Sequence, residues 1–167
     1  AMSSLTSPTT SFRVDAASGE VTPLELVQAS ESAAPAITVE RRRATSADGT
    51  PVPYFLVVPE GIDLSETRPT LLYGYGGFNL PVLADYRAGW SGWLAAGGVL
   101  AIANLRGGGE FGLDWYNAGR LDNKQNVFDD FIGVAEHLIA TGVTSAPQLT
   151  AYGRSNGGLL VGAAITQ

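Results

Sequence analysis

Cysteine is absent from the 167 residues, and His137 is the single histidine. Without cysteine the chain can form no disulfide, no thiolate site for zinc or an iron–sulfur cluster, and no cysteine nucleophile. A single histidine also excludes a metal site built from several histidines. A Ser-His-Asp triad, if the protein has one, must therefore use His137 or take its base from outside these residues.

Basic side chains are also scarce, since 10 Lys and Arg stand against 16 Asp and Glu, giving a net charge of −6. Nucleic-acid binding needs a concentrated positive surface, so we expect no nucleic-acid partner. The one basic cluster, Arg41–Arg43, is interpreted as a solvated strand end. No apolar run approaches the ~18 residues of a membrane span, and the N-terminus lacks the order of a signal peptide. The sequence predicts no membrane partner and a cytoplasmic location.

Glycine is rare in the first part of the chain, with three in residues 1–73 and 18 in residues 74–167. The first part has the alternation of β-structure. A hairpin is predicted around a turn at 16–19, and a second hairpin around a turn at 47–50. Between them, residues 28–36 are small and polar with a proline, which is typical of a linker.

From residue 69 onward, strand-like and helix-like patterns alternate. Thr70–Tyr73 and Val99–Ala103 are short apolar runs typical of buried parallel strands, which predicts an α/β sheet. Leu149–Tyr152 is predicted as a further strand, and Leu159–Ile165 as an apolar helix. Residues 126–141 are predicted as a helix, because their apolar side chains fall on one stripe at 3.6 residues per turn. These are Val127, Phe128, Phe131, Ile132, Ala135, Leu138 and Ile139.

The segment Gly153–Gly157 matches Gly-x-Ser-x-Gly, the turn that presents a nucleophilic serine in α/β-hydrolases. A chain of this composition would contain the bare pattern by chance roughly 0.2 times, so the flanking structure must decide. An apolar strand leads in and an apolar helix leads out, as such an elbow requires. Ser155 would then lie at a helix N-terminus, where the amide of Asn156 can stabilise negative charge. The alternative is a Gly-Ser loop before a buried helix.

A second glycine-rich segment, Gly107–Gly112, satisfies the Gly-x-Gly-x-x-Gly pattern of dinucleotide-binding folds. Asp129 and Asp130 follow at about the spacing of a ribose-binding acid. Residues 113–123 lack helical apolar spacing, so we expect no helix there whose dipole would face a pyrophosphate. Dinucleotide binding is the weaker interpretation, and no cofactor is expected.

His137 lies on the predicted helix, opposite an apolar stripe that we centre near Phe131 and Ala135. We therefore expect its side chain to face solvent. In α/β-hydrolases the base follows the nucleophile in the sequence. Residues 156–167 contain no Asp, Glu or His. The triad acid and histidine are therefore not expected within this chain.

Four motifs occur in order along the chain. They are Tyr73–Asn79, Asn104–Gly112 followed by Trp115, Asn126–Phe131 and Gly153–Leu160. Together they resemble the prolyl oligopeptidase family of serine peptidases, and in detail its proline-specific branch. The resemblance covers residues 37–167 closely and implies an internal piece of a longer protein. It implies the end of a β-propeller over 1–27, a linker over 28–36, and over 37–167 the first part of an α/β-hydrolase domain, through the nucleophile elbow.

The resemblance also implies roles for single residues. Ser155 would be the nucleophile, and the backbone amide of Asn156 with the hydroxyl of Tyr75 would form the oxyanion hole. Phe78 would line the pocket for a proline side chain. Residues 106–112 would form a structural loop, and no metal or cofactor is implied.

The function implied for the complete protein is that of a serine endopeptidase. It would cleave short peptides on the carboxyl side of proline through an acyl-enzyme. Its partners would be those proline-containing peptides and the remainder of its own chain, comprising the propeller and the C-terminal half of the hydrolase domain. The 167 residues alone are expected to be inactive, and to aggregate or remain partly unfolded unless another segment completes the sheet. Two alternatives stay open at this point, an acyl-transferring hydrolase such as an esterase, and a non-catalytic binding module.

Overall fold

The computed structural model describes residues 4–24 and 35–167, and within these ranges the chain forms two separate β-sheets. The first is an antiparallel hairpin of β1 (Ser11–Val14) and β2 (Val21–Leu24). At its turn, the carboxylate of Asp15 accepts hydrogen bonds from the amides two and three residues later, 3.0 and 2.8 Å away. The first predicted hairpin is confirmed. Residues 28–34 of the expected linker lie outside the described residues.

The second sheet has five strands in the order β3-β4-β6-β5-β7. β3 and β4 form the second predicted hairpin, and β4 pairs antiparallel with β6. β5 pairs in parallel with β6 on one side and with β7 on the other. The strands are β3 (Ile37–Thr45), β4 (Pro51–Pro59), β5 (Thr70–Tyr73), β6 (Val99–Ala103) and β7 (Leu149–Tyr152).

Helices cover both faces of this sheet. Every residue of β6 is buried, and its side chains alternate between two apolar clusters. One cluster includes Phe131 and Leu160, and the other includes Trp90, Leu94 and, from the N-terminal segment, Leu5. The predicted α/β fold is therefore confirmed. The helices are α1 (Ala88–Ala95), α2 (Leu113–Asn117), α3 (Gln125–Ala140) and α4 (Asn156–Ala164), with single 3-10 turns at Leu121–Asn123 and Ala146–Gln148. Within the described ranges, none of these helices is long and apolar enough to span a bilayer.

The prediction that His137 faces solvent is wrong. Its ring is half-buried and lies edge-on to the ring of Tyr54, with 5.9 Å between the centroids. The buried side of α3 is centred nearer Val134, which is fully buried, than Ala135. The reason is a close approach between α3 and β3 at Gly133, where a Cβ atom would lie 2.5 Å from the carbonyl oxygen of Thr45. At about 100° per residue, His137 then lies only about 60° from Val134.

Residues 113–123 contain two short helical elements that the sequence pattern does not predict. α2 occupies Leu113–Asn117, and a 3-10 turn follows at Leu121–Asn123. Neither element buries a residue. Without a buried face, neither has the apolar periodicity by which helices are predicted.

Candidate active site

Ser155 occupies the sharp turn between β7 and α4, and its side chain is exposed. Its backbone has φ 58° and ψ −120°, a conformation that residues with a side chain rarely adopt. Such a conformation typically costs about 1–3 kcal/mol and persists where the surrounding structure enforces it. The predicted strand–turn–helix elbow is confirmed in its geometry.

The two glycines of the elbow are required by close backbone contacts. A Cβ atom on Gly153 would lie 2.0 Å from the carbonyl oxygen of Gly157. A Cβ atom on Gly157 would lie 2.6 Å from the carbonyl oxygen of Gly74, in the loop that follows β5. No side chain fits at either distance, so these contacts close the turn and seat it against that loop.

The loop after β5 carries two of the candidate site residues, Tyr75 and Phe78. The side-chain amide of Asn156 donates a hydrogen bond to the backbone carbonyl of Tyr75. Next along the loop, a Cβ atom on Gly77 would lie 2.6 Å from Asn156 Nδ2. The structure thus brings the Tyr75 backbone against the residue that follows Ser155. Tyr75 and Asn156 are 81 residues apart in the sequence.

Phe78 projects into solvent beside this junction. It is 72% exposed and has φ 56°. It borders a shallow depression of about 270 Å³ that an incoming chain could fill. The other residues around the depression are Gly77, Tyr116, Gly119, Arg120, Leu121, Lys124 and Asn156.

Lys124, at the start of α3, is a site residue that sequence reasoning missed. Its ammonium donates to the carbonyl oxygen of Gly76 at 2.7 Å and to Asn156 Oδ1 at 3.4 Å. Burial lowers the pKa of Lys124, because the charged form is less well solvated there. A cation therefore lies directly behind the contact between the two loops.

A buried ion pair supports the loop that follows β6, and no sequence pattern predicted it. Arg106 pairs with Asp130, whose carboxylate is fully buried and also accepts the Arg106 backbone amide at 3.0 Å. The guanidinium further contacts Ser46 and Asp48 in the β3–β4 turn. The hydrogen bond from Arg106 holds the pKa of Asp48 well below its usual range. The loop thus has the structural character expected for residues 106–112.

Glu110, in the same loop, is anchored to the segment before α1. Its carboxylate accepts a hydrogen bond from the amide of Val82 at 2.8 Å and from the side chain of Asn104 at 3.3 Å. Burial raises the pKa of Glu110, because the ionised form is poorly solvated.

The same glycine-rich loop does not have the shape of a dinucleotide site. A Cβ atom on Gly107 would lie 2.9 Å from the carbonyl oxygens of Gly76 and Gly119, and one on Gly109 would lie 2.4 Å from that of Asn79. In a dinucleotide fold, such space admits the pyrophosphate. Here the chain's own backbone fills it, and the following helix is only five residues long.

Several known proteins that resemble this chain are named as peptidases. A model described as the prolyl oligopeptidase family matches residues 85–167. An uncharacterized peptidase of Sinorhizobium fredii is 48% identical over 161 residues, which cover 96% of this chain and 22% of the relative. A prolyl endopeptidase of Elizabethkingia miricola is 45% identical over 122 residues, which cover 73% of this chain and 17% of the relative. The chain thus spans about a fifth of the length of these curated relatives.

Solved structures agree with this result. One, from a study of two prolyl endopeptidases, superposes with a TM-score of 0.85 at 46% identity, covering 99% of this chain and 24% of that one. Oligopeptidase B of Trypanosoma brucei superposes with a TM-score of 0.84 at 41% identity, with the same two coverages.

Proposed function

Since the chain belongs to the prolyl oligopeptidase family, we propose that the protein carrying it is a serine endopeptidase that cleaves short peptides on the carboxyl side of proline. The observation that carries this proposal is the strained, exposed Ser155 at the N-terminus of α4, joined to the Tyr75 loop through Asn156. Acyl transfer through a serine needs an exposed nucleophilic hydroxyl beside hydrogen-bond donors that stabilise the oxyanion.

In the proposed reaction, Ser155 Oγ attacks the carbonyl carbon of a prolyl residue and gives its proton to a base. The carbonyl oxygen becomes an oxyanion, which accepts hydrogen bonds from the amide of Asn156 and the hydroxyl of Tyr75. Collapse expels the amine of the following residue, which takes the proton, and water then hydrolyses the acyl-enzyme. The amide of Asn156 suits this role because it is the first of α4, and the first amides of a helix have no partner within the helix.

Specificity for proline is proposed to depend on Phe78. Its exposed ring at the edge of the depression offers an apolar surface to a pyrrolidine ring, which carries no donor to satisfy. Names among the relatives support this choice, since several are called prolyl endopeptidases. Specificity for basic residues, suggested by the similarity to oligopeptidase B, is an outcome that the assay below would reveal.

We propose that the triad acid and histidine are supplied by the remainder of the protein. The half-buried ring of His137 packs against the ring of Tyr54, and we assign it a role in packing and none in catalysis. We further propose the domain division expected from sequence, with a propeller end over 1–27, a linker over 28–36 and the first part of a hydrolase domain from residue 37. The cytoplasmic location belongs to the same proposal.

The full-length protein should be assayed with matched chromogenic peptides ending in proline, alanine or arginine. We expect turnover of the proline peptide, and loss of that turnover in Ser155→Ala. Cleavage of short acyl esters without cleavage of the peptides would instead identify an esterase. A full-length protein that fails to react at Ser155 with a fluorophosphonate would be a non-catalytic module. Turnover by the isolated 167 residues that Ser155→Ala abolishes would refute the proposed missing base.

A further inference from the structure

Lys124 is the only lysine of the chain, beside nine arginines, and its ammonium is placed against neutral groups. The two oxygens that it contacts belong to a backbone carbonyl and a side-chain amide, and its third neighbour is the ring of Phe128, 5.9 Å from the ammonium. A half-buried cation loses hydration that neutral partners restore only in part.

The partners of Lys124 lie on the two segments that carry the proposed oxyanion donors. Gly76 follows Tyr75, whose hydroxyl is one donor, and Asn156 supplies the other donor through its backbone amide. Asn156 Nδ2 also donates to the carbonyl of Tyr75. The ammonium, the Asn156 side chain and two successive carbonyls thus form a closed set of hydrogen bonds. We call Lys124, Asn156, Tyr75 and Gly76 the Lys124 clamp.

Packing leaves this set little freedom. Gly76 has φ +59°, and a Cβ atom there would lie 2.2 Å from Val127 Cγ1 in the first turn of α3. The start of α3 therefore presses on the Tyr75 loop from one side, while Asn156 contacts Gly77 from the other. Lys124 stands where these contacts converge.

We propose that Lys124 is a positioning residue that fixes the loop of Tyr75 against Asn156, so that both donors face one oxyanion. The inference rests on the proposed peptidase function. Two donors stabilise a transition state only when both are held within about 0.5 Å of the productive geometry, and a small displacement from a distant change can cost about 100-fold in rate.

The test compares Lys124→Met with Gln125→Met in the full-length protein. Gln125 is the next residue, is exposed, and bonds instead to Asp129 and Gln167. For Lys124→Met we expect kcat to fall by about 10- to 100-fold with KM changed less than about twofold, because only the transition state uses both donors. Gln125→Met should keep wild-type values.

A transition-state mimic separates positioning from general damage. With a peptide aldehyde ending in prolinal, Ser155 Oγ adds to the aldehyde carbon, its proton is taken up by the base, and the aldehyde oxygen occupies the oxyanion position. In Lys124→Met the affinity for this aldehyde should fall by the same factor as kcat/KM. Lys124 also borders the depression beside Phe78, so the affinity for the product peptide ending in proline should change, but by less than about twofold, like KM. Equal losses for aldehyde and product, or an unchanged kcat, would overturn the inference.

Hydrogen exchange provides a readout that needs no catalysis. Lys124→Met should speed exchange of the amides in residues 74–79, and Gln125→Met should leave them as in wild type. Should Lys124→Met fail to fold, Lys124→Gln gives the same comparison, since it removes the positive charge and shortens the side chain while keeping it polar. If wild type neither cleaves proline peptides nor reacts with a fluorophosphonate, the proposed function fails. If Lys124→Met leaves hydrogen exchange in residues 74–79 unchanged, the proposed positioning role of Lys124 is refuted, whatever the outcome for the peptidase function.

Discussion

Replacing Asp130 by alanine should be among the most damaging single changes in this chain. Its carboxylate is fully buried and accepts three kinds of donor from Arg106, namely the backbone amide at 3.0 Å, Nε at 3.0 Å and Nη2 at 2.6 Å. Arg106 itself has a side chain only 5% exposed. Its remaining carboxylate partner, Asp48, is 46% exposed and lies in the β3–β4 turn.

The magnitude follows from what the change leaves behind. In Asp130→Ala the buried guanidinium of Arg106 keeps only one carboxylate partner, that of Asp48. The backbone amide of Arg106 loses the carboxylate that accepts its hydrogen bond. Removing one partner of a buried ion pair typically costs about 3–5 kcal/mol, because the other charge stays desolvated. Asp129→Ala is the matched control, since Asp129 is the adjacent residue and its contact is with Gln125 at 2.8 Å on the exposed side of α3. We expect that change to cost at most about 0.5 kcal/mol.

The measurement is hydrogen exchange of the α3 amides, Gln125–Ala140, in the full-length protein under native conditions. This local readout avoids treating the unfolding of a multidomain protein as a two-state transition. A cost of about 3–5 kcal/mol corresponds to exchange faster by roughly 100- to 4,000-fold for amides that open with this region. Equal rates in Asp130→Ala and Asp129→Ala would refute the reasoning, because the buried pair would then contribute no more than a surface contact.

Gly157→Ala should abolish turnover and destabilise the elbow, because its Cβ would lie 2.6 Å from the Gly74 carbonyl oxygen. Its control is Gly162→Ala, where nothing lies within 4 Å of the added Cβ, and this change should stabilise α4 by about 0.5–1 kcal/mol. Thermal melts and activity assays compare the two variants, and equal effects on both would contradict the prediction. Because burial raises the pKa of Glu110 in the folded state, the folded protein keeps that proton where the unfolded chain has lost it, so stability should decline as pH rises from about 4.5 through the raised pKa. Urea midpoints should show less decline in Glu110→Gln, and an unchanged decline would sink this account. The isolated 167 residues should aggregate or remain partly unfolded, because β7 has no further strand beside it among residues 4–24 and 35–167, and Tyr152 is 45% exposed; light scattering that shows a stable monomer with cooperative unfolding would be the contrary result.

Local patterns were enough to predict most elements of the fold. The runs Thr70–Tyr73 and Val99–Ala103 are nearly continuously apolar because both faces of these strands are covered, and the structure has them as β5 and β6. The elbow was predictable for a similar reason. Gly153 is required by a contact with its near neighbour Gly157, and the strand–turn–helix pattern around Ser155 is local, although the contact that requires Gly157 is with the distant Gly74.

Errors arose where a distant contact decided the local arrangement. The close approach of Gly133 to Thr45 rotates the buried side of α3 and brings His137 against Tyr54. α2 carries no buried residue, so no periodicity marked it. In both cases the deciding interaction, or its absence, lies outside the window that a sequence pattern covers.

The sequence by itself determined the order of strands and helices, the α/β class and the serine at the elbow, because these depend on residues close together in the chain. Only the tertiary structure decided which polar groups meet behind that serine. Lys124 reaches Gly76 across 48 residues and Asn156 across 32, and Arg106 reaches Asp48 across 58. No spacing rule predicts such pairs, because parallel strands linked through helices bring their ends together only after the whole sheet has formed.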